Sequence, residues 1–544
     1  MDEEVLNIEH QLKSAMALLS EIKIKDQHLD TSSSGTKNLS TLKSEVIQSY
    51  QSEILKSKDR MVSEMRKILD QFDTDFENTT KEVTQDIENN LPCKPLKAGI
   101  FSQKVHKTRS SLLHKMHRNI NVRTIYHIFI AIMLVMIFEE MLHTFFTTGN
   151  LIDVSLFYYV FGDLPAVAVF WLFMAFYGFL IVPFVQIVHA RQYTYYTWLP
   201  VYCALVLVLL VVPCCFCLYM QLPMASGLVV TCEMTRMCLK MHSYLREKLL
   251  FANGDNEYRN YIPEFLKKKG VTIQSINIPD LKIEDMSTEY CKFTYFFFAP
   301  TLIFRDQYPR TNFSDRNSRI ISNLLNVLGT IFYTFIIFQR HCFPYFQESW
   351  KEEYNFKFIL TSWFKAMIPA TMLLILLFFG MLHSWFNLWA EILRFGDKEF
   401  YTDWWNVSNF ADYYRKWNIV VHEWLFHYIY QDILRFTKGK SSRLFCFFMV
   451  FIISALMHEL ILAISMRFFY PILLVMFGGP GVIYTFFSKR ESRSLNIFVW
   501  SMFFVGNGLL VVFYSWEHFA RKSMDLSDKY GWKAFFIPHS WGYF

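Results

Sequence analysis

The sequence predicts an all-α, polytopic membrane protein of about nine transmembrane helices, preceded by a cytosolic helical N-terminal region. Three observations carry that expectation. Hydrophobic residues make up 53% of the 544-residue chain, 56 of them Phe, which is too apolar for a globular surface to hide. Apolar runs of about 18 residues or more, long enough for a hydrocarbon core of roughly 30 Å, recur from the second hundred residues onward. Lys and Arg gather at alternate ends of those runs, as cytosolic flanks require.

Residues 1–95 are polar and rich in Lys, Glu, Ser and Asp. Within them Val5, Ile8, Leu12, Ala15, Leu19 and Ile22 repeat at alternating steps of three and four, the heptad spacing by which one helix seeks another. A second helical stretch covers about 39–72, past the linker "TSSSGTKN". The region reads as a helical oligomerisation region, against the plainer reading of a disordered tail with one amphipathic helix. Residues 96–123 form a basic cytosolic linker: from 97 to 123 there are seven Lys or Arg and no acid, whereas "TTGNLID" beyond the first span has no basic residue. The N-terminus is therefore expected in the cytosol, and the opening "MDEEV" is not a cleavable signal.

The spans begin near Thr124, Ser155, Trp198, Gln221, Ile320, Phe358, Leu444, Pro471 and Asn496. Nine crossings return "RMCLKMHSYLREK", "TKGKSSR" and "SKRESRS" to the cytosolic side and leave residues 520–544 as a lumenal tail. Two polar intervals, 249–318 and 394–443, interrupt the apolar runs. "GGPG" at 478–481 has no strand before it, so it reads as a kink in the eighth span and not as a phosphate loop. The net charge of +6 is accounted for by the span flanks, which leaves nucleic acid out as an expected partner. Of the ten cysteines, Cys203, Cys214, Cys215 and Cys217 share one apolar run without a companion His or acid; they read as small buried hydrophobes, with no metal site.

Ionisable groups inside apolar spans carry a functional hypothesis by default. His458, in "FIISALMHELILAIS", lies ~21 Å along its span at 1.5 Å per residue. Ser454 precedes it by one turn on the same face, and "HELIL" lacks the second His of a zinc helix. In "ADYYRKWNIVVHEW" a single helix would gather Arg415, Asn418 and His422 within about 60° of one another. The alternative there is an interfacial helix whose rings seek the headgroups. "FYTDWWN", residues 400–406, sets Asp403 among Tyr401, Trp404 and Trp405; a carboxylate among rings needs hydrogen bonds, and the backbone N–H groups that start the following helix are the expected donors. No nucleophile elbow occurs and no Cys lies near His458. A membrane-buried imidazole without a nucleophile suits deprotonation of a lipid alcohol whose electrophile arrives already activated.

Together "FYTDWWN", "WNIVVHEW" and "SALMHE" resemble the membrane-bound O-acyltransferase family, in the branch whose members acylate sterols or diacylglycerol. "RTIYHIFIA", "FAPTLIFRDQYPRT", "AEILRFGDKEFY" and "GNGLLVVFYSWEHFAR" lean to the sterol side, and the likeness runs from about residue 120 to the end. The resemblance implies an endoplasmic reticulum enzyme whose domain spans 124–519, which joins a long-chain acyl group from acyl-CoA to a sterol 3β-hydroxyl. No cofactor is implied, since acyl-CoA is a substrate, and the implied partners are the two substrates, membrane lipids and further copies of the chain, as a dimer or tetramer. It further implies His458 as catalytic base and Asn418 beside it. Arg415, Trp417, Asn418, His422, Tyr430, Arg443 and Ser454 match acyl-CoA-binding positions, with Arg443 standing where Lys is usual. Asp412 takes the place of a usual Asn near the CoA, and His127 matches a sterol-contacting position. Phe400, Tyr401, Asp403, Trp404, Trp405 and Asn406 form the family's signature, implied to shape the cytosolic mouth.

Overall fold

A computed structural model describes residues 56, 63, 104–151, 155–250, 283–311, 315–347, 355–437, 443–485, 492–522 and 532–540. The heptads of 5–22 lie outside them. Among the described residues no strand forms; the only pairings of extended backbone are two isolated bridges, Arg109 with Asp397 and Arg310 with Phe395.

The helices that matter below are α1 (Ile120–Thr148), α2 (Leu164–Phe179), α3 (Ile181–Ala190), α4 (Tyr195–Tyr219), α5 (Met224–Leu245), α6 (Met286–Phe298), α7 (Arg316–Ile337), α8 (Phe356–Leu377), α9 (Phe386–Ile392), α10 (Phe410–Lys416), α11 (Ile419–Leu425), α12 (Arg443–Met466), α13 (Ile472–Met476) and α14 (Arg493–Lys522). Seven helical stretches among the described residues are long and apolar enough to cross a membrane: Ile120–Thr148, Phe157–Ala190, Tyr195–Tyr219, Arg316–Gln347, Phe356–Ile392, Arg443–Met466 and Arg493–Lys522. The chain is a multi-pass membrane protein. These stretches coincide with seven of the nine expected spans.

The other two differ for physical reasons. At the expected fourth span, α5 is 22 residues long but carries Glu233, Arg236 and Lys240. It packs against α2, α4 and α12, so protein rather than lipid receives its polar groups: the buried Lys240 donates to the Phe297 and Ala299 carbonyls at 2.9 and 2.8 Å. At the eighth, the apolar helix Ile472–Thr485 is short and is interrupted by a π-helical turn, Phe477–Gly481, that contains Pro480. That turn is the kink expected of "GGPG".

Of five apolar clusters among the described residues, the two largest matter most here. One gathers side chains of α2 to α6, including Met174, Val185, Met234, Tyr244 and Phe293. Gly227 lets α5 approach α12 there; a Cβ on it would lie 3.1 Å from the Ser465 Cα. The second is built on Phe400, Tyr401 and Trp404, with Phe378 from the π-helical turn after α8 and Phe503 from α14. A buried ionic network follows the end of α5. Lys248 pairs with Glu289 at 2.9 Å and Asp306 at 2.7 Å, Arg246 with Asp432 at 2.5 Å, and Arg305 with Glu247 at 3.1 Å. Since breaking a buried pair strands a charge at a cost of about 3–5 kcal/mol, the network holds its segments in one register. Tyr428, bonded to Glu247 at 3.0 Å, ties in the π-helical turn Phe426–Tyr430.

Candidate active site

His458 sits on α12 with Nδ1 2.7 Å from the Ser454 carbonyl oxygen. A carbonyl only accepts, so Nδ1 carries the proton and Nε2 presents its lone pair. The ring is accessible and lies nearly parallel to Phe477, centroids 5.7 Å apart at 22°. Phe477 in turn meets Tyr414 at 5.3 Å and Phe451 at 6.0 Å. These rings link His458 to α10. Gly481 is needed at this contact, because a Cβ would approach the Tyr414 hydroxyl to 2.9 Å. The neighbouring Glu459 is buried; its Oε2 accepts from the Leu474 N–H at 3.1 Å, which fixes the helix that delivers Phe477.

The single face expected for Arg415, Asn418 and His422 does not form. The chain breaks between α10 and α11, and Asn418 is the N-cap of α11 at φ −137° and ψ 87°. Its Oδ1 accepts from the Val421 N–H at 3.2 Å, a geometry that polar caps adopt and mid-helix residues cannot. With the amide oxygen committed, Nδ2 is the free donor of the side chain among the described residues.

The signature segment holds this break from both sides. The Thr402 N–H donates to the Lys416 carbonyl at 3.0 Å, and the Ile419 N–H donates to the Phe400 carbonyl at 3.0 Å. Trp417 and Asn418 lie between the two bonds. Trp417 packs edge-on against Trp404 at 4.6 Å and against Phe378 at 5.5 Å. The Trp405 carbonyl accepts from Asn496 Nδ2 and Trp500 Nε1, each at 3.1 Å, which fastens the segment to α14. Asn406 is exposed. Asp403 stands at the N-cap position of the 3-10 turn Trp404–Asn406, but, contrary to expectation, its carboxylate bonds no helix-starting N–H: it pairs with Lys416 at 2.8 Å, and the cap of α10 is Asn409, whose Oδ1 accepts from the Asp412 N–H at 2.8 Å.

Asp412 is neutralised locally, by an ion pair with Arg415 and by Asn409 Nδ2 at 2.6 Å. His422, Phe426 and Tyr430 recur every fourth residue and stack in series: His422 on Phe426 at 6.5 Å and 3°, Phe426 on Tyr430 at 5.5 Å and 19°. Burial, and next the Arg415 charge, push His422 down to about 4, so it is a neutral donor and acceptor at neutral pH. Arg443 opposes the upward push that burial gives the Tyr430 phenol, which sets it in that phenol's field. Ser454 is half-buried on α12. His127 lies apart, exposed on α1, its ring 6.2 Å from Tyr126.

Sequence reasoning missed Phe477 and Tyr414 as neighbours of His458; Glu459, which follows it directly, was legible there. Phe477 opens the π-helical turn of "GGPG", and only the fold brings its ring against His458. His383 was missed as well: its Nδ1 meets the Tyr401 hydroxyl at 2.7 Å.

Residues 154–516 match the profile of MBOAT, the membrane-bound O-acyltransferase family. Sterol O-acyltransferase 1 of Cricetulus griseus is 34% identical over 478 residues, covering 85% of this chain and 82% of that protein. Sterol O-acyltransferase 2 of Homo sapiens is 34% identical over 454 residues, 81% of each chain. Sterol O-acyltransferase 2 of Mus musculus is 32% identical over 517 residues, 93% of this chain and 92% of its own.

Proposed function

The chain belongs to the membrane-bound O-acyltransferase family and is an acyltransferase, and on that footing we propose that it esterifies sterols. A long-chain fatty acyl group passes from acyl-CoA to the 3β-hydroxyl, giving a steryl ester and CoA. The names of relatives similar over most of the chain support this acceptor. The observation that carries the mechanism is the committed Nδ1–H of His458, which leaves Nε2 as a base.

In this mechanism Nε2 takes the hydroxyl proton as the sterol oxygen attacks the thioester carbonyl, a contribution of about 10²- to 10⁴-fold. Asn418 Nδ2 donates to the carbonyl oxygen as it gains charge, worth about 10²- to 10³-fold. The C–S bond then breaks, and the proton held by His458 leaves with the CoA sulfur. Acyl-CoA runs along Arg415, His422, Tyr430, Arg443 and Ser454, with Trp417 beside the thioester. Asp412 is compatible with a nearby phosphate because Arg415 and Asn409 already engage its carboxylate. His127 contacts the sterol on α1.

The same reading sets the protein in the endoplasmic reticulum membrane with a cytosolic N-terminus and nine crossings, α5 and Ile472–Thr485 supplying the two beyond the seven apolar stretches. It acts as a homo-oligomer, which light scattering of the purified full chain decides. To test the mechanism, His458→Ala is assayed with labelled acyl-CoA. The expected result is a loss of at least ~10²-fold in kcat with unchanged elution and yield; activity above a few per cent of wild type contradicts the base assignment.

A further inference from the structure

Away from His458, a polar cavity of about 180 Å³ lies between the linker at 108–111, the start of α1, the start of α7 and the end of α9. Arg109, Arg319 and Lys398 line it together with the carboxylate of Glu391, and Arg109 is itself paired with Glu399 and lies 4.0 Å from Asp397. Lys398 and Arg319 share the Glu391 carboxylate at 2.6 and 3.8 Å.

Its polar groups are arranged as donors. His383 is only 6% exposed, and its Nδ1 faces the Tyr401 hydroxyl at 2.7 Å and Asn387 Nδ2 at 3.3 Å. An amide nitrogen only donates, so Nδ1 accepts and the proton sits on Nε2. Among the described residues that N–H has no protein partner. The Thr311 hydroxyl, also on the wall, is buried without one. His114 and His117 line the same space. Burial holds both below the usual histidine range, with Arg319 and Lys398 adding to the effect on His114 and His127 to that on His117; each is a neutral ring with one N–H. Unpaired donors backed by cations call for a ligand with acceptor oxygens and negative charge.

Depth narrows the class. Tyr126, Arg319 and Glu391 lie within about ten residues of the ends of Ile120–Thr148, Arg316–Gln347 and Phe356–Ile392, or ~15 Å at helical rise, which is headgroup level in a bilayer. We propose that this cavity binds a phosphate group, carried either by a lipid headgroup or by a free phosphate ester. The planar fork of Arg319 matches phosphate oxygens, and the volume admits a phosphate with part of a headgroup. Through His383 the ligand reaches Tyr401, whose segment brackets Asn418, so occupancy steadies the same break from the far side. None of this rests on the acyl-transfer reading.

The test uses the purified full chain in detergent, with unfolding temperature and calorimetric binding as readouts. One arm adds inorganic phosphate, the other a short-chain phosphatidylinositol phosphate, with short-chain phosphatidylcholine as the zwitterionic control. Arg319→Gln and Thr311→Val are run beside wild type, the second because losing one hydroxyl spares the fold if Arg319→Gln does not. Saturable binding of inorganic phosphate, weakened at least ~10-fold in either variant, supports the site with a free phosphate ester as its ligand. Binding of the anionic lipid alone, weakened equally, supports it with a headgroup ligand. No binding in either arm, or binding that the variants and the zwitterionic control share, overturns the proposal and leaves a water-filled void.

Discussion

With Nδ1 of His458 committed to the Ser454 carbonyl, any proton the imidazole takes must go to Nε2, and any oxyanion donor must come from elsewhere. Asn418 is that donor, and its double role separates cleanly by substitution. Its Oδ1 caps α11, a duty Asp performs equally well, but Asp has no N–H to give. Asn418→Asp should therefore keep the unfolding temperature within a few degrees while kcat falls about 10²-fold. Recovery of wild-type kcat in that variant would show that Asn418 matters only as a cap. His422 gives a pH test. Its value drops from 6.5 to about 4 in the fold, so between those values the unfolded chain binds a proton that the folded chain refuses. Stability is complete above about 6.5 and declines as pH falls toward 4. Replacing His422 by Gln should shrink the loss of unfolding temperature between pH 7 and pH 5; equal losses in the two proteins contradict neutral burial.

Among elements, the signature segment is the part whose purpose the fold changes most. Its sequence announces rings and a carboxylate, yet its backbone does the positioning, through the two bonds that bracket Trp417 and Asn418. Asn406 within it opens the sequon Asn406–Val407–Ser408 and is exposed, so it is a ready glycan acceptor on the lumenal side and silent on the cytosolic side. The nine-crossing arrangement predicts no glycan there. A glycosidase-sensitive mobility shift mapped to Asn406 would overturn that topology. Seven apolar stretches were legible because hydropathy and length are local properties of sequence. Less legible was α5, whose Glu233, Arg236 and Lys240 are tolerable only against protein neighbours that lie far off in the chain. The break at Asn418 was missed although Asn before an apolar run is a start signal, because the i, i+3, i+7 spacing of Arg415, Asn418 and His422 also suits one continuous helix. The Asp403 carboxylate went to Lys416 rather than to the N–H groups that start the following helix, a choice made by a turn that periodicity does not encode.

At the scale of the molecule, the bundle sets two kinds of surface against each other: an apolar exterior around the seven stretches, and an interior chain of contacts from the linker to the imidazole. Tyr401 joins the polar cavity to the signature segment, that segment holds α10 and α11, and Tyr414 of α10 reaches His458 through Phe477. A base reached through packed rings suits a rigid alcohol with one hydroxyl to present. Two flexible acyl chains would lose more rotational freedom on entering. The most direct test is a competition assay with labelled acyl-CoA and the purified protein, offering cholesterol, its 3α-epimer and diacylglycerol together. Esterification of the sterol through sterol acyltransferase chemistry predicts that cholesterol is acylated with a kcat/KM at least ~10-fold above both competitors, since the epimer points its oxygen away from the base and a tenfold preference needs only about 1.4 kcal/mol of differential stabilisation. Comparable kcat/KM for diacylglycerol, or equal rates for the two epimers, would contradict it.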